Sequence, residues 1–434
     1  MQLLRFGQSF TARASPHINM NRMSSIDDID LDAFGPLADI TEESLVLLAT
    51  TIAKQVLQLS GSNGRLIHRI AGSYNLVHIV EVDGVKLVIR VPATGWGSGM
   101  TPAAAEALES QAATMRLIRG KTGVPIPEVD SLDTTGNNEI GAPYICMSFI
   151  AGRPVSQAWF DNSSLLDREE LRLRILKSVA QTMAELSRLR SFDKLGSVMR
   201  NLDGSTYIGP VNAWQENDDG SLRIEATGPF DSASAYLRSQ FEPNTANTVW
   251  AQAQAKVMDV LMQCLPALDS PSGFVLCPPD FDSQNVMVDE HGAVTGIIDW
   301  DLAHTMPRRL GCASYPSWIT RDWDPLMYGW PKMAETEDSP DALERYRAYY
   351  SAELGKALHG RGDGEFTERS HIVEAVWNAV LSTRNRLEIC RKFVQVAVGD
   401  HVDALDMMYD IGHGGYSEEA WGSLKASLTR LIFA

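Results

Sequence analysis

Apolar residues recur at helical spacing over residues 43–59, where Leu45, Leu48, Ile52, Val56 and Leu59 share one face and predict an amphipathic helix. The period then shortens. Residues 66–70, 76–82 and 86–91 are brief runs rich in Val and Ile, separated by Gly72-Ser73-Tyr74-Asn75 and by Asp83-Gly84, and they predict an antiparallel meander. Asp83-Gly84 is its strongest signal, because a two-residue primed turn needs positive φ and Asp-Gly supplies it. Gly95-Trp96-Gly97-Ser98-Gly99 follows a strand but lacks a GK[ST] ending, so it reads as a loop. A helix is predicted over 103–119, with Leu108, Ala112 and Met115 as its buried stripe, and Val124-Pro125-Ile126-Pro127 stops it. Two more strands are predicted over 128–132 and 144–149.

The pattern changes after Ala151-Gly152. Long helical periods occupy 165–189 and 375–396, and the strand signals at 274–276, 285–288 and 294–298 read as one short hairpin around His291-Gly292. The predicted class is α+β in two lobes: a small antiparallel-sheet N-terminal lobe with one helix, and a larger, mostly helical C-terminal lobe. The boundaries are a tail over 1–43, an N-terminal lobe over 44–151 and a C-terminal lobe over 152–434.

Composition narrows the function. The 434 residues are 44% hydrophobic and 21% charged, which excludes a disordered, collagen-like or coiled-coil chain. Lys and Arg number 38 against 55 Asp and Glu, a formal charge of −17 that repels a phosphate backbone and anionic lipid. Neither nucleic acid nor a membrane is therefore an expected partner. The five cysteines contain no C-x-x-C pair, so the chain reads as a cytoplasmic protein with reduced thiols. A mitochondrial location is the alternative, because Arg5, Arg13 and Arg22 precede the first acid, Asp27.

The chemistry concentrates in Cys277-Pro278-Pro279-Asp280-Phe281-Asp282-Ser283-Gln284-Asn285 and in Ile297-Ile298-Asp299-Trp300-Asp301. Asp280, Asn285 five residues on and Asp299 fourteen further lie at the ends of short buried strands, where side chains can converge. Phosphoryl transfer has a use for such a set: one carboxylate orients the attacking hydroxyl, while an amide oxygen and a second carboxylate hold Mg²⁺ against the nucleotide phosphates. Mg²⁺ prefers hard oxygen ligands and commonly takes only one or two protein carboxylates. Asp301 reads either as an additional carboxylate of the site or as a helix N-cap.

The pattern D-x-x-x-x-N followed by I-I-D-W-D, after a hairpin-and-helix lobe, resembles the aminoglycoside phosphotransferase and choline kinase branch of the protein-kinase-like fold. Ala313-Ser314-Tyr315-Pro316-Ser317-Trp318 and Arg321-Asp322-Trp323-Asp324-Pro325 make it most similar to fungal members, over residues 64–330. The resemblance implies ATP and Mg²⁺ as cofactors, Asp280 as catalytic base, and Asn285 and Asp299 as metal ligands. It places Gly72 and Ser73 in the nucleotide-covering turn, which by spacing alone is a plain hairpin turn. Met147 and Phe149 fall on the adenine-contacting linker, and Met147 equally suits a buried strand. The acceptor would be a hydroxyl of a small molecule, and the acidic balance suits a cationic one. Specificity would lie in 203–251 and 318–347; the oligomeric state is not legible.

Three positions depart from the family pattern. Pro278 stands where the family has a His, and Arg90 replaces the third-strand Lys. Arg can grip phosphate through two N–H groups, although its fork differs from a Lys point charge. Gln111 occupies the place of the helix acid that holds this cation; it could accept a hydrogen bond from Arg90, with Glu109 on its shoulder as a substitute. The three departures support an alternative, a catalytically impaired kinase-like module that binds a nucleotide or a partner.

Overall fold

A computed structural model describes residues 30–163, 167–189, 191–217, 219–269, 272–360, 362–399 and 401–433. The Arg5, Arg13 and Arg22 stretch lies outside the described residues, as does Leu165. Helices α1 (Leu31–Phe34) and α2 (Glu42–Gln55) lead into β1 (Gly64–Ala71), β2 (Asn75–Val82) and β3 (Val85–Pro92). Asp83 and Gly84 join β2 to β3 with φ of 50° and 84°, both positive as in a type I′ turn. Helix α3 (Pro102–Lys121) follows, capped by the Thr101 hydroxyl, which accepts from the Ala104 N–H at 3.2 Å. Strands β4 (Val129–Asp133) and β5 (Tyr144–Ser148) complete an antiparallel sheet of order β1-β2-β3-β5-β4.

Strand alternation decides what each face of this sheet carries. Leu76, Val80 and Val82 of β2 and Leu87, Ile89 and Val91 of β3 pack with Leu45, Leu48 and Ile52 of α2. Asn75 and Arg90 consequently project from the opposite face, toward the helical lobe. The expected tail ends earlier than residue 43. Ala33, Phe34, Leu37 and Ile40 are buried in the same cluster, because Asp30 caps α1 and the following apolar residues close against α2.

Gly152 follows, with φ 124°. A Cβ there would meet the Thr295 hydroxyl and the Val288 carbonyl, both at 2.7 Å, so the connection between lobes admits only glycine. The helical lobe begins with β6 (Arg153–Pro154), α4 (Val155–Ala158) and α5 (Arg168–Leu186). Two hairpins not foreseen from the sequence come next, β7 (Val198–Arg200) with β8 (Thr206–Ile208) and β9 (Val211–Glu216) with β10 (Leu222–Thr227). The second belongs spatially to the sheet lobe. Leu222 joins the cluster beneath α2, and Trp214 stacks on Tyr74 of the β1–β2 turn with ring centroids 4.7 Å apart.

Helices α6 (Ala233–Gln240) and α7 (Val249–Gln263) precede β11 (Phe274–Leu276), β12 (Val286–Val288), β13 (Val294–Ile297) and β14 (Thr305–Pro307). Only β12 and β13 form the expected hairpin; β11 pairs instead with β14, and β12 also pairs with β6. The chain ends with α8 (Pro340–Ala357), α9 (Ser370–Leu381), α10 (Arg386–Val398), α11 (Ala404–His413) and α12 (Glu418–Phe433). The single helix expected over 375–396 is two. Arg386 turns back and donates to the carbonyls of Ala379 at 2.6 Å and Val380 at 2.8 Å, closing the end of α9. Among the described residues no helix is long and apolar enough to cross a membrane. All five cysteines are free and buried.

Candidate active site

The segment between β11 and β12 carries Asp280 and Asn285. The Asn285 N–H donates to the Asp282 carbonyl at 3.0 Å, which folds the loop back on itself, and the Ile298 N–H donates to the Asn285 carbonyl at 2.9 Å. The second bond lays the start of the Asp299 segment against Asn285. The Asn285 side-chain amide donates to the Asp280 carboxylate at 2.9 Å and to the Asp280 carbonyl at 3.1 Å, while Gln284 donates to the same carboxylate at 3.3 Å. Since its nitrogen serves Asp280, the side-chain oxygen of the buried Asn285 is left for another partner.

Asp299 has φ 63°. This is the left-handed region, uncommon for a residue with a Cβ and concentrated at functional sites. Its Oδ1 accepts from Arg90 at 2.9 Å, and its side chain is 41% exposed. Asp280, Asn285 and Asp299 therefore meet in the crevice between the lobes. Hard oxygens of this kind, an amide and an accessible carboxylate, are the donor set that Mg²⁺ takes.

Asp280 remains open to solvent but is enclosed by protein on most sides. The loss of water and then repulsion from Asp282 and Asp299 push its carboxyl up to about 6. Glu374 of α9 lies within electrostatic reach of this group: burial first, then the charges of Asp324, Asp282 and Asp280, push it up to about 7. Sequence reasoning missed Glu374, although a lone carboxylate among Ile372, Val373, Ala375, Val376 and Trp377 is a legible signal.

Arg90 is buried, and this works against its charge, but the carboxylates of Asp299 and Asp301 outweigh the burial and raise its pKa. It donates to Asp301 Oδ2 at 3.0 Å. Gln111 does not serve Arg90 as expected. As a neutral amide it can donate, and it donates to Asp301 Oδ1, while Asn75 donates to Asp301 Oδ2. Asp301 is thus a carboxylate of the site and not a helix cap; the chain passes from it through a turn into β14. Glu109 is exposed on the helix flank and takes no part.

The remaining candidates are placed more loosely. The Gly72 N–H closes its own turn onto the Asn75 carbonyl at 2.9 Å, so it is not free for a phosphate, and Ser73 beside it is half-buried. Met147 is buried in β5 between Val88 and Val129. Phe149, just beyond β5, is partly exposed and carries the Lys86 ammonium 5.0 Å over its ring. Pro278 is buried, two residues before the exposed Asp280.

The model of the phosphotransferase enzyme family (APH) matches residues 59–351. A subtelomeric hrmA-associated cluster protein of Aspergillus fumigatus is 24% identical over 341 residues, 63% of this chain and 63% of that one. Clavilactone A biosynthesis cluster protein Y of Ampulloclitocybe clavipes is 26% identical over 227 residues, 49% of this chain and 54% of that protein. The chain thus spans between half and two thirds of the length of these relatives. Among solved structures, aminoglycoside phosphotransferase APH(4)-Ia aligns with 88% of this chain and 98% of its own at 16% identity and a TM-score of 0.43. Because the family match runs through both lobes and takes in Arg90, Asp280, Asn285 and Asp299, the chain belongs to the phosphotransferase enzyme family.

Proposed function

We propose that the protein transfers the γ-phosphoryl group of ATP to a hydroxyl of a small, cationic molecule. The observation that carries this reading is the convergence of Asp280, Asn285 and Asp299 in the crevice between the lobes. Asp280 accepts the proton of the acceptor hydroxyl as its oxygen bonds to the γ-phosphorus and the bond to the β-phosphate oxygen breaks, leaving ADP. Asn285 and Asp299 would hold Mg²⁺, which offsets the charge of the nucleotide phosphates. Asn285 has a second task, orienting Asp280 through its amide nitrogen. The excess of carboxylates near the base, Asp282 and Asp299 beside it and Glu374 and Asp324 further out, over the nearby cations Arg321 and Arg90 supports a cationic acceptor, such as an amino alcohol or amino sugar.

One observation favours a second reading, a nucleotide-binding module without transfer: Arg90 already occupies Asp299 Oδ1, one of the oxygens a metal would need. Acceptor-dependent ADP release, measured over amino alcohols, amino sugars and neutral sugars with ATP and Mg²⁺, separates the two. Release stimulated by an amine-bearing acceptor supports transfer. Nucleotide binding without release under any acceptor supports the module.

A further inference from the structure

Arg90 sits on β3, and the family resemblance expects its counter-charge on the following helix. Helix α3 supplies none: Gln111 is neutral, while Glu106 and Glu109 point to solvent. The anions that Arg90 meets lie more than two hundred residues away in sequence, Asp299 at 2.9 Å and Asp301 at 3.0 Å. The two differ. Asp299 is turned toward solvent, with a side chain 41% exposed, whereas that of Asp301 is 16% exposed. Asp301 also receives Asn75 from β2 and Gln111 from α3. Three elements of the sheet lobe therefore end on one carboxylate of the helical lobe. An ionised carboxylate only accepts, and here both of its oxygens are taken by donors.

We infer that Asp301 is the positioning anion of this site: it replaces the missing helix carboxylate as the partner of Arg90 and, through Asn75 and Gln111, fixes the sheet lobe against the helical lobe. The arrangement explains why Gln111 is an amide. A carboxylate there would face Asp301 and repel it, while an amide donates to it. Asp299, relieved of sole responsibility for Arg90, keeps an oxygen toward solvent. The Arg90 and Gln111 departures are then parts of one rearrangement in which the anion moved from helix to loop. The expected loss of nucleotide affinity rests on the proposed function; the anchoring of the lobes does not.

The test is a pair of substitutions in which the effect of Gln111→Glu changes sign with the residue at 301. Asp301→Asn leaves Arg90 with one exposed partner. It is expected to speed hydrogen exchange across 85–92 and 102–121 in the ligand-free chain and to weaken MgATP binding by roughly tenfold or more. Gln111→Glu in the wild-type background sets two carboxylates together and also speeds exchange. In the Asp301→Asn background, Gln111→Glu supplies the anion from the helix side and slows exchange again, with most of the nucleotide affinity restored. Additive losses in the double variant, or wild-type exchange in Asp301→Asn, would overturn the inference. If the unmodified chain binds no MgATP while the exchange pattern still changes sign, the proposed function fails and the anchoring stands.

Discussion

Asn285 binds the Asp280 carboxylate and the Asp280 carbonyl with the same amide nitrogen, at 2.9 and 3.1 Å. The base is thereby held by the residue proposed to share the metal, so proton acceptance and phosphate positioning rest on one short loop. Asp280→Asn keeps an oxygen that can accept from Asn285 but cannot take a proton. Turnover is expected to fall by roughly 10²–10⁴-fold, with nucleotide affinity unchanged. Steady-state rates set against a fluorescent-nucleotide titration check both halves.

The pH dependence has a definite sign. Asp280 must be ionised to accept a proton, and burial with its acidic neighbours pushes it up to about 6. Profiles of kcat/KM should climb with pH through about 6 and level above it, since this parameter reports the free enzyme. Asp282→Asn removes one repelling charge and should move the midpoint down. A profile flat from pH 5 to 8 would assign the proton elsewhere.

Much of the fold was legible because local patterns agreed with it. The alternation of Leu76, Val80 and Val82 with Asn75 and Val77 marks both the strand and its two faces. Leu222 and Ile224 alternate with Arg223 and Glu225 just as clearly after Asp219-Gly220, but over only a few residues and amid a lobe whose long-range periodicity is helical. Arg386 ends α9 through carbonyls it reaches by turning back, which no periodicity records. At the site, Asp280, Asn285 and Asp299 lie close in sequence and were readable by spacing. Asp301 by itself suits a cap as well as a site carboxylate, because its partners Asn75, Arg90 and Gln111 are scattered through another lobe. Only the folded chain unites them.

Glu374 tests the nature of the acceptor. It lies near the acids of the site, and burial followed by the charges of Asp324, Asp282 and Asp280 pushes it up to about 7. An ammonium group entering the site would favour its ionised form. Glu374→Gln is expected to raise KM for an amine-bearing acceptor by roughly tenfold, about 1.4 kcal/mol, with kcat little changed. KM for a neutral sugar should not move. Equal effects on both acceptors would remove Glu374 from cation recognition.

Arg172 of α5 tests the helical lobe away from the site. It donates to Asp338 at 2.9 Å, to the Tyr346 hydroxyl at 2.9 Å and to the Trp159 carbonyl at 2.8 Å, and it is almost fully buried. Arg172→Met leaves the buried Asp338 without its counter-charge, at an expected cost of about 3–5 kcal/mol. Adding Asp338→Leu should recover a large part of that loss, because replacing both members of a buried pair is far milder than removing one. Chemical denaturation of the single and double variants checks this.

Transfer of phosphate is what separates this crevice from a cleft that only binds a nucleotide. Radiolabelled γ-phosphate supplied as ATP with Mg²⁺ and an amine-bearing alcohol measures it most directly, with the unmodified chain and Asp280→Asn run side by side. Label should become covalently bound to the acceptor with the unmodified chain, vanish when Mg²⁺ is chelated, and form at least roughly 10²-fold more slowly with Asp280→Asn. Label that stays on ATP although the nucleotide binds, or equal transfer by Asp280→Asn, would contradict transfer with Asp280 as base.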